Sequence, residues 1–212
     1  MKKTLLIILI FASNQLFAQI QTNVHPSILI QQGDEALIKQ SMQKSLELQT
    51  IHDIIIKESD KLLNKPNLKY KKNGKRLLDV SRESFRRIFF LSYSYRLTGI
   101  EKYARRAEQE MLTVCAFADW NPPHFLDVAE MTMGVAIGFD WTYNYLSEIS
   151  RKKISDAILN KGLNPSLETN GMWWLNSQGN WNQVCNAGMM YGAIAIRDIQ
   201  PEISTRENLP SV

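Results

Sequence analysis

The segment FLDVAEMTMGVAIGFDWTYNYL, from Phe125 to Leu146, carries three charged side chains in 22 residues and is otherwise largely apolar. Pro122 and Pro123 precede it. Because proline cannot sit inside a helix, the helix is expected to begin after them. A helix that is apolar nearly all round is buried on every side. This one is therefore predicted to lie in the inner layer of the fold.

Two other segments repeat the pattern. Long apolar helices are also predicted to begin near Ser81 and Asn180, so that successive starts are roughly 45 to 55 residues apart. The first two are followed by the more charged segments IEKYARRAEQEMLTVCAFA and EISRKKISDAILNKGLNPSL. Repeating pairs of inner and outer helices are typical of helical toroids and solenoids. No segment alternates like a strand, so the sequence predicts an all-α fold of helical hairpins.

Capping and breaking residues predict where these helices begin and end. Residues 33–63 have helical apolar spacing and are expected to form one helix. Ser81 and Ser147 are suitable N-caps for the next inner and outer helices. Gly99 is expected to end the inner helix between them, and Pro165 the outer helix after Ser147.

The two ends of the chain differ from its middle. MKKTLLIILIFASNQLFA, residues 1–18, has a basic start, a short apolar core and a small residue before Gln19. That pattern predicts a cleaved signal peptide and an exported protein, periplasmic or secreted in a bacterium. Residues 19–212 have no second apolar run long enough to span a membrane. The helix ending near Ile196 has no complete outer partner after it. The mature chain is therefore expected to be the N-terminal portion of a longer helical domain, or a truncated product.

Composition excludes several classes of function. The chain has 212 residues, 44% of them hydrophobic, and a net charge of +4, as expected of an ordinary globular protein. It has no glycine-rich phosphate loop, nucleic-acid motif or Cys/His metal spacing, so no nucleic acid, metal or cofactor is expected. Basic residues in 70–76 and 81–87 form either a solvated face or a surface for an acidic partner. Cys115 and Cys185 are either a disulfide pair or two buried thiols.

Neutral hydrogen-bonding groups crowd the start of the third inner helix, in NSQGNWNQ, residues 176–183. Trp173, Trp174 and Trp181 lie among these amides. Aromatic rings stack on the apolar faces of sugars and amides bond their hydroxyls, so the combination suits a carbohydrate. The alternative is structural, with Asn180 as an N-cap and the tryptophans in the core.

At this point the chain resembles a known family. NWNQVCNAGMMYGAIAI, HPSILIQQGDEALIKQSM and FLDVAEMTMGVAIGFDWTYNYLSE are similar to segments of heparinase II/III-like and alginate-lyase-like polysaccharide lyases. The resemblance covers most of the mature chain and depends on the order and spacing of these segments. It implies an (α/α) toroid followed by β-sandwich domains, of which this chain would hold only the first part of the toroid. It also implies β-elimination on polysaccharides that contain uronic acids.

The resemblance also implies roles for residues. Asn180 is the first candidate and Asn182 the second for neutralising the uronate carboxylate, where negative charge develops in the transition state. Trp173, Trp174, Trp181 and Gln183 are candidates for binding the substrate, which would be an acidic polysaccharide or oligosaccharide. Trp181 stands where several relatives have histidine. The family's catalytic Tyr and second His would lie beyond Val212.

Other residues support weaker alternatives. His124 stands at the entrance to an inner helix, where it either binds a sugar carboxylate or hydroxyl or has a capping role. Asp127 and Glu130 suggest a glycoside hydrolase pair, but two carboxylates on one helical turn cannot easily flank a bond. Three arginines could meet an anionic substrate, although a solvated face is the simpler interpretation: Arg82, Arg86 and Arg87. A glycoside hydrolase on a similar toroid and a non-catalytic glycan-binding or scaffold fragment therefore remain alternatives to the lyase.

Overall fold

The computed structural model describes residues 25–168 and 172–200, and all regular structure in these two ranges is helical. The helices are α1 (Asp34–Lys44), α2 (Leu46–Leu62), α3 (Leu78–Thr98), α4 (Glu101–Cys115), α5 (Phe125–Thr142), α6 (Glu148–Ala157), α7 (Asn164–Leu167) and α8 (Asn180–Ile196). A π-helical segment, Ile158–Leu163, joins α6 to α7, and a 3-10 turn, Trp173–Asn176, precedes α8. The prediction of an all-α fold is confirmed.

Helix α5 is the centre of the core, as its composition predicts. Nearly all its residues are buried, and it packs between α3 and α8. Glycines bring these backbones close together. A Cβ atom on Gly134 would lie 2.7 Å from Phe85 Cα, and one on Gly188 would lie 2.5 Å from the Ala129 carbonyl oxygen. The more charged α4 and α6 contact each other and pack outside this layer, α4 chiefly against α3.

Two of the predicted helix ends agree with the structure. Gly99 ends α3 with φ of 72°, a left-handed conformation that glycine adopts without steric cost. Ser147 caps α6, because its hydroxyl accepts a hydrogen bond from the Ser150 amide at 3.2 Å. In both places the local sequence is sufficient to determine the end.

Three other predicted ends were wrong. Residues 33–63 form two helices rather than one, since Ser45 adopts an extended conformation and caps α2 through the Leu48 amide. The outer helix that begins after Ser147 does not end at Pro165: α6 ends at Ala157, and Pro165 lies in the first turn of α7, after the π-helical segment. Ser81 does not cap α3, which begins three residues earlier, at Leu78. The Leu77 amide before it is satisfied instead by a side chain of α5, Asp127, at 2.6 Å.

Buried ionic groups tie the outer parts to the core. The fully buried Glu110 of α4 accepts hydrogen bonds from Arg87 of α3 and Arg106 of α4. At the opposite end of α5 from Asp127, the buried Asp140 accepts hydrogen bonds from His25 and from the amides of residues 27 and 28. That second cluster holds the described N-terminal segment against the inner layer.

The remaining predictions about the chain have mixed outcomes. Cys115 and Cys185 are both free thiols, so the disulfide alternative is not what the structure contains. The predicted signal peptide, residues 1–18, lies outside the described residues. In the two described ranges, no helix combines the length and the apolar character needed to cross a bilayer.

Candidate functional site

The starts of the three inner helices lie at the same end of the molecule. The Leu77 amide before α3 donates to Asp127 Oδ2 of α5 at 2.6 Å, which joins the starts of these two helices. The His124 ring before α5 contacts the Trp181 ring of α8, with centroids 4.9 Å apart. Helix N-termini carry partial positive charge and free amide groups. Asp79 and Asp127 already place negative charge at the starts of α3 and α5. The start of α8 has no acidic residue in its first turn and no side-chain cap, so it is the terminus that favours a negatively charged ligand.

Asp127 and His124 form a hydrogen-bonded pair at the centre of this end. Asp127 Oδ1 lies 2.6 Å from His124 Nδ1. The Asp127 side chain is fully buried, and that of His124 is 14% exposed. Asn121, in a left-handed turn with φ of 65°, donates from Nδ2 to Asp127 Oδ2 at 2.6 Å. The carboxylate therefore organises the starts of two helices and one imidazole ring.

The tryptophans divide into two exposed or partly exposed rings and one buried ring. Trp173 is 49% exposed and lies against Trp181, with centroids 4.9 Å apart. Trp174 is fully buried beside Phe125, so the structure contradicts its predicted role in contacting substrate directly. Helical 3-10 geometry explains the difference, because adjacent side chains of one turn point to different sides. His124, Trp181 and Trp173 form a continuous aromatic row.

The amides also separate by environment. Asn180 is exposed and is the first residue of α8, whose N-cap is Gly179, so the hypothesis that Asn180 is the N-cap was wrong. Its side chain has no hydrogen-bond partner within the described residues. Gln183 is exposed one turn further along the helix. Asn182 is engaged: its Nδ2 donates to the Leu175 carbonyl at 2.5 Å, and its Oδ1 accepts from Asn186 at 3.1 Å. Asn182 thus holds the 3-10 turn on α8.

The arginines that sequence reasoning considered for an anionic substrate are paired with carboxylates. Arg82 forms a two-point contact with Glu130, at 2.9 and 3.1 Å. Arg86 and Arg87 both bond Glu83, and Arg87 is buried rather than solvated. The Arg82–Glu130 and Arg87–Glu110 pairs join different helices, whereas the bonds to Glu83 lie within α3. All three guanidinium groups are therefore already paired with carboxylates of the protein.

Two other cations are available at this end. Asn121 Nδ2 donates to the Lys75 carbonyl at 2.9 Å, which fixes the loop before α3 beside Asp127. The side chains of Lys75 and Arg76 are exposed and make no ion pair with any acidic residue in the described part of the chain. In the sequence, Lys75 and Arg76 belong to a basic cluster, and no local pattern distinguishes them from the arginines that form ion pairs.

The carboxylates at this end do not form a hydrolase pair. Asp127 is buried and accepts hydrogen bonds on both oxygens, and Glu130 is held by Arg82. An acid and a nucleophile would have to face opposite sides of a glycosidic bond. Neither side chain has the freedom to do so, which argues against the hydrolase alternative.

Sequence reasoning missed the pairing of Asp127 with His124. A histidine lies directly before the helix, and an aspartate follows three residues later on the same side of the first turn. This spacing was sufficient to predict that the two side chains meet. Across residues 25–168 and 172–200, no three His, Cys, Asp or Glu side chains are grouped to hold a metal ion. The candidate site therefore consists of the aromatic row, the Asp127–His124 pair, two exposed amides and two exposed cations.

The comparisons with known proteins leave the family unassigned. No protein-family model matches the chain, and no curated protein is significantly similar to it. The resemblance to polysaccharide lyases therefore depends on the quoted segments alone.

Proposed function

We propose that the helices of this chain belong to an (α/α) toroid and that the protein is a polysaccharide lyase that acts by β-elimination on acidic, uronic-acid-containing glycans. We also propose that residues 1–18 export it to the periplasm or beyond. The observation that carries the proposal is the exposed amide of Asn180 at the start of α8, next in sequence to Trp181, whose ring contacts His124 and Trp173.

Charge supports an acidic substrate. Lys75 and Arg76 have no described acidic partner, and the start of α8, which has no acidic residue in its first turn, adds partial positive charge. Such a surface attracts a polyanion along its length. Trp173 and Trp181 supply ring faces and edges that suit the apolar surfaces of sugar rings.

Neutral amides support the elimination chemistry. The proton to be removed is on the carbon next to the uronate carboxylate, and charge develops on that carboxylate as the proton leaves. A donor that does not itself need to ionise stabilises this charge. The Asn180 amide is exposed and not committed to another bond, whereas Asn182 is committed to Leu175 and Asn186. Asn180 is therefore the stronger candidate.

The experiment is an absorbance assay with alginate, heparan sulfate and chondroitin. Elimination creates an unsaturated uronate with an ultraviolet band, and hydrolysis creates reducing ends without it. A rise in absorbance is expected. New reducing ends without absorbance would support a hydrolase, and binding with neither product would support a non-catalytic glycan-binding protein.

Substitution of Asn180 separates function from stability. Asn180→Ala is expected to lower kcat by about 10²–10³-fold if the amide stabilises the developing charge. Asn180→Asp has almost the same shape, and a negative charge at a helix start favours folding. It should therefore be at least as stable as the wild type but should lose activity by repelling the carboxylate. Full activity in Asn180→Asp would refute the assignment.

A further inference from the structure

We propose that His124 is the proton acceptor of this elimination and that Asp127 is the residue that positions it. The inference rests on the proposed function and assigns the acceptor to a residue of this chain. It starts from the 2.6 Å contact between Asp127 Oδ1 and His124 Nδ1.

The surroundings of Asp127 determine which ring nitrogen of His124 carries hydrogen. Asp127 Oδ2 accepts from the Leu77 amide and from Asn121 Nδ2, two groups that can only donate. A carboxylate is acceptor-only when ionised, and these donors stabilise its charge. Nδ1 must then donate to Oδ1. In the neutral ring the lone pair is consequently on Nε2.

The Nε2 atom is free to react. It has no hydrogen-bond partner in the described part of the chain, and the side chain is partly exposed. Trp181 packs edge to face against the ring, at 72° between planes, so the imidazole is held from a second side. Asn180, the candidate for the carboxylate, is the neighbour of that tryptophan in the sequence.

The pair is not explained by helix capping. His124 is the N-cap residue of α5, but its side chain makes no capping hydrogen bond. A free lone pair on Nε2 also cannot neutralise a carboxylate, which needs a donor. In this geometry Nε2 can take up a proton from a substrate or accept a hydrogen bond from a hydroxyl group.

The chemical step balances with His124 alone. Nε2 takes the proton from the carbon next to the carboxylate, and the electron pair of that C–H bond forms the new carbon–carbon double bond. The bond from the adjacent carbon to the glycosidic oxygen breaks, and its electrons leave with the oxygen. The imidazolium returns the same proton to that oxygen, so the ring ends neutral. Asp127 stabilises the imidazolium between the two transfers.

The first measurement needs no activity. Nitrogen-15 NMR of the protein's histidine rings, assigned with His124→Gln, should show hydrogen on Nδ1 and a lone pair on Nε2 of His124. In Asp127→Asn the preference should weaken or reverse, because an amide can also donate. A His124 ring with hydrogen on Nε2 in the wild type would overturn the inference even if the protein is a lyase.

The second measurement uses the lyase assay. His124→Ala is expected to lose about 10²–10⁴-fold in kcat while its Kd for an oligouronide changes little. Added imidazole should restore part of the rate, which a structural defect would not allow. Asp127→Asn should also lose kcat, and Asp127→Glu should recover part of it. His52→Gln is the matched control, since His52 bonds Tyr93 Oη at 3.1 Å on another part of the surface, and it should retain full activity.

These outcomes distinguish the two proposals. A wild type that eliminates, with a fully active His124→Ala variant, would overturn the role of His124 and leave the lyase proposal intact. A wild type that eliminates no tested glycan would count against the lyase proposal and the base role together. Loss of activity in His124→Ala with rescue by imidazole would support both.

Discussion

Asp140 holds the N-terminal segment against the inner layer, and Asp140→Asn tests how much stability this contributes. Asp140 is fully buried, with His25 Nδ1 2.6 Å from Oδ1 and the Ser27 and Ile28 amides each 2.9 Å from Oδ2. Asparagine has nearly the same shape but only one acceptor oxygen. Its NH₂ group must therefore face either a backbone amide, which is left unsatisfied, or His25 Nδ1, which can then accept a hydrogen bond only in the neutral ring.

The expected loss follows from the charge and the burial. A hydrogen bond to a charged group contributes about 1.5–3 kcal/mol. Breaking a buried ion pair by removing one partner costs about 3–5 kcal/mol. Because the Asp140 side chain makes several such bonds and is inaccessible to water, we expect the free energy of unfolding to fall by about 3–5 kcal/mol. That is a large fraction of the roughly 5–15 kcal/mol of a typical domain.

The effect should depend on pH. Burial lowers the pKa of His25, but the hydrogen bonds and charges of Asp140 and Asp198 outweigh it, and the pKa lies above its usual value. Tyr143, stacked on the ring at 4.1 Å, has a raised pKa from burial and stays neutral in this range. The stabilisation is thus fully present below the ordinary pKa of histidine, near 6.5, and is lost as pH rises through the raised folded value. The change in the free energy of unfolding between low and high pH should therefore be smaller in Asp140→Asn than in the wild type.

Urea unfolding followed by circular dichroism at pH 6 and pH 9 measures both quantities. Asp156→Asn is the matched control, because Asp156 makes only an exposed pair with Lys152, and it should change stability by less than about 1 kcal/mol. A loss below about 1 kcal/mol in Asp140→Asn, or an unchanged pH difference, would refute the reasoning.

Three further predictions concern groups in or beside the core. Glu110→Ala leaves two buried arginines without their shared carboxylate, so the free energy of unfolding should fall by about 3–5 kcal/mol in denaturant titrations. Gly188→Ala forces a methyl group against the Ala129 backbone, whose atoms lie 2.5 to 2.9 Å away, and calorimetry should show a lower Tm and a loss of about 1–3 kcal/mol. Cys185 is buried and Cys115 is partly buried, and burial raises the pKa of both thiols to about 12. Both should therefore alkylate slowly at pH 8 until urea unfolds the protein, and Cys185 most slowly.

Each of these has a contradicting result. Wild-type stability in Glu110→Ala would mean that the arginines reach water or other partners. An unchanged Tm in Gly188→Ala would mean that α5 and α8 are further apart than the structure shows. Rapid alkylation of the native protein would mean that a thiol is accessible.

Much of the fold was predictable because apolar spacing reports which helices are buried. The composition of residues 125–146 predicted a central helix, and two prolines fixed its start. Gly99 and Ser147 set helix ends by local backbone chemistry. In contrast, Ser81 was assigned a cap that α3 does not use, because the Leu77 amide finds its partner 50 residues away in Asp127.

The candidate site shows the same division. The sequence by itself placed amides, tryptophans and His124 at the starts of inner helices, since these follow from where each helix begins. Only the tertiary structure decided that Trp173 is exposed while Trp174 is buried, and that the Trp181 ring lies against His124. Periodicity specifies which face of a helix is apolar. Hydrogen-bond and ring partners from different helices depend on the packing register of those helices, which no local pattern encodes.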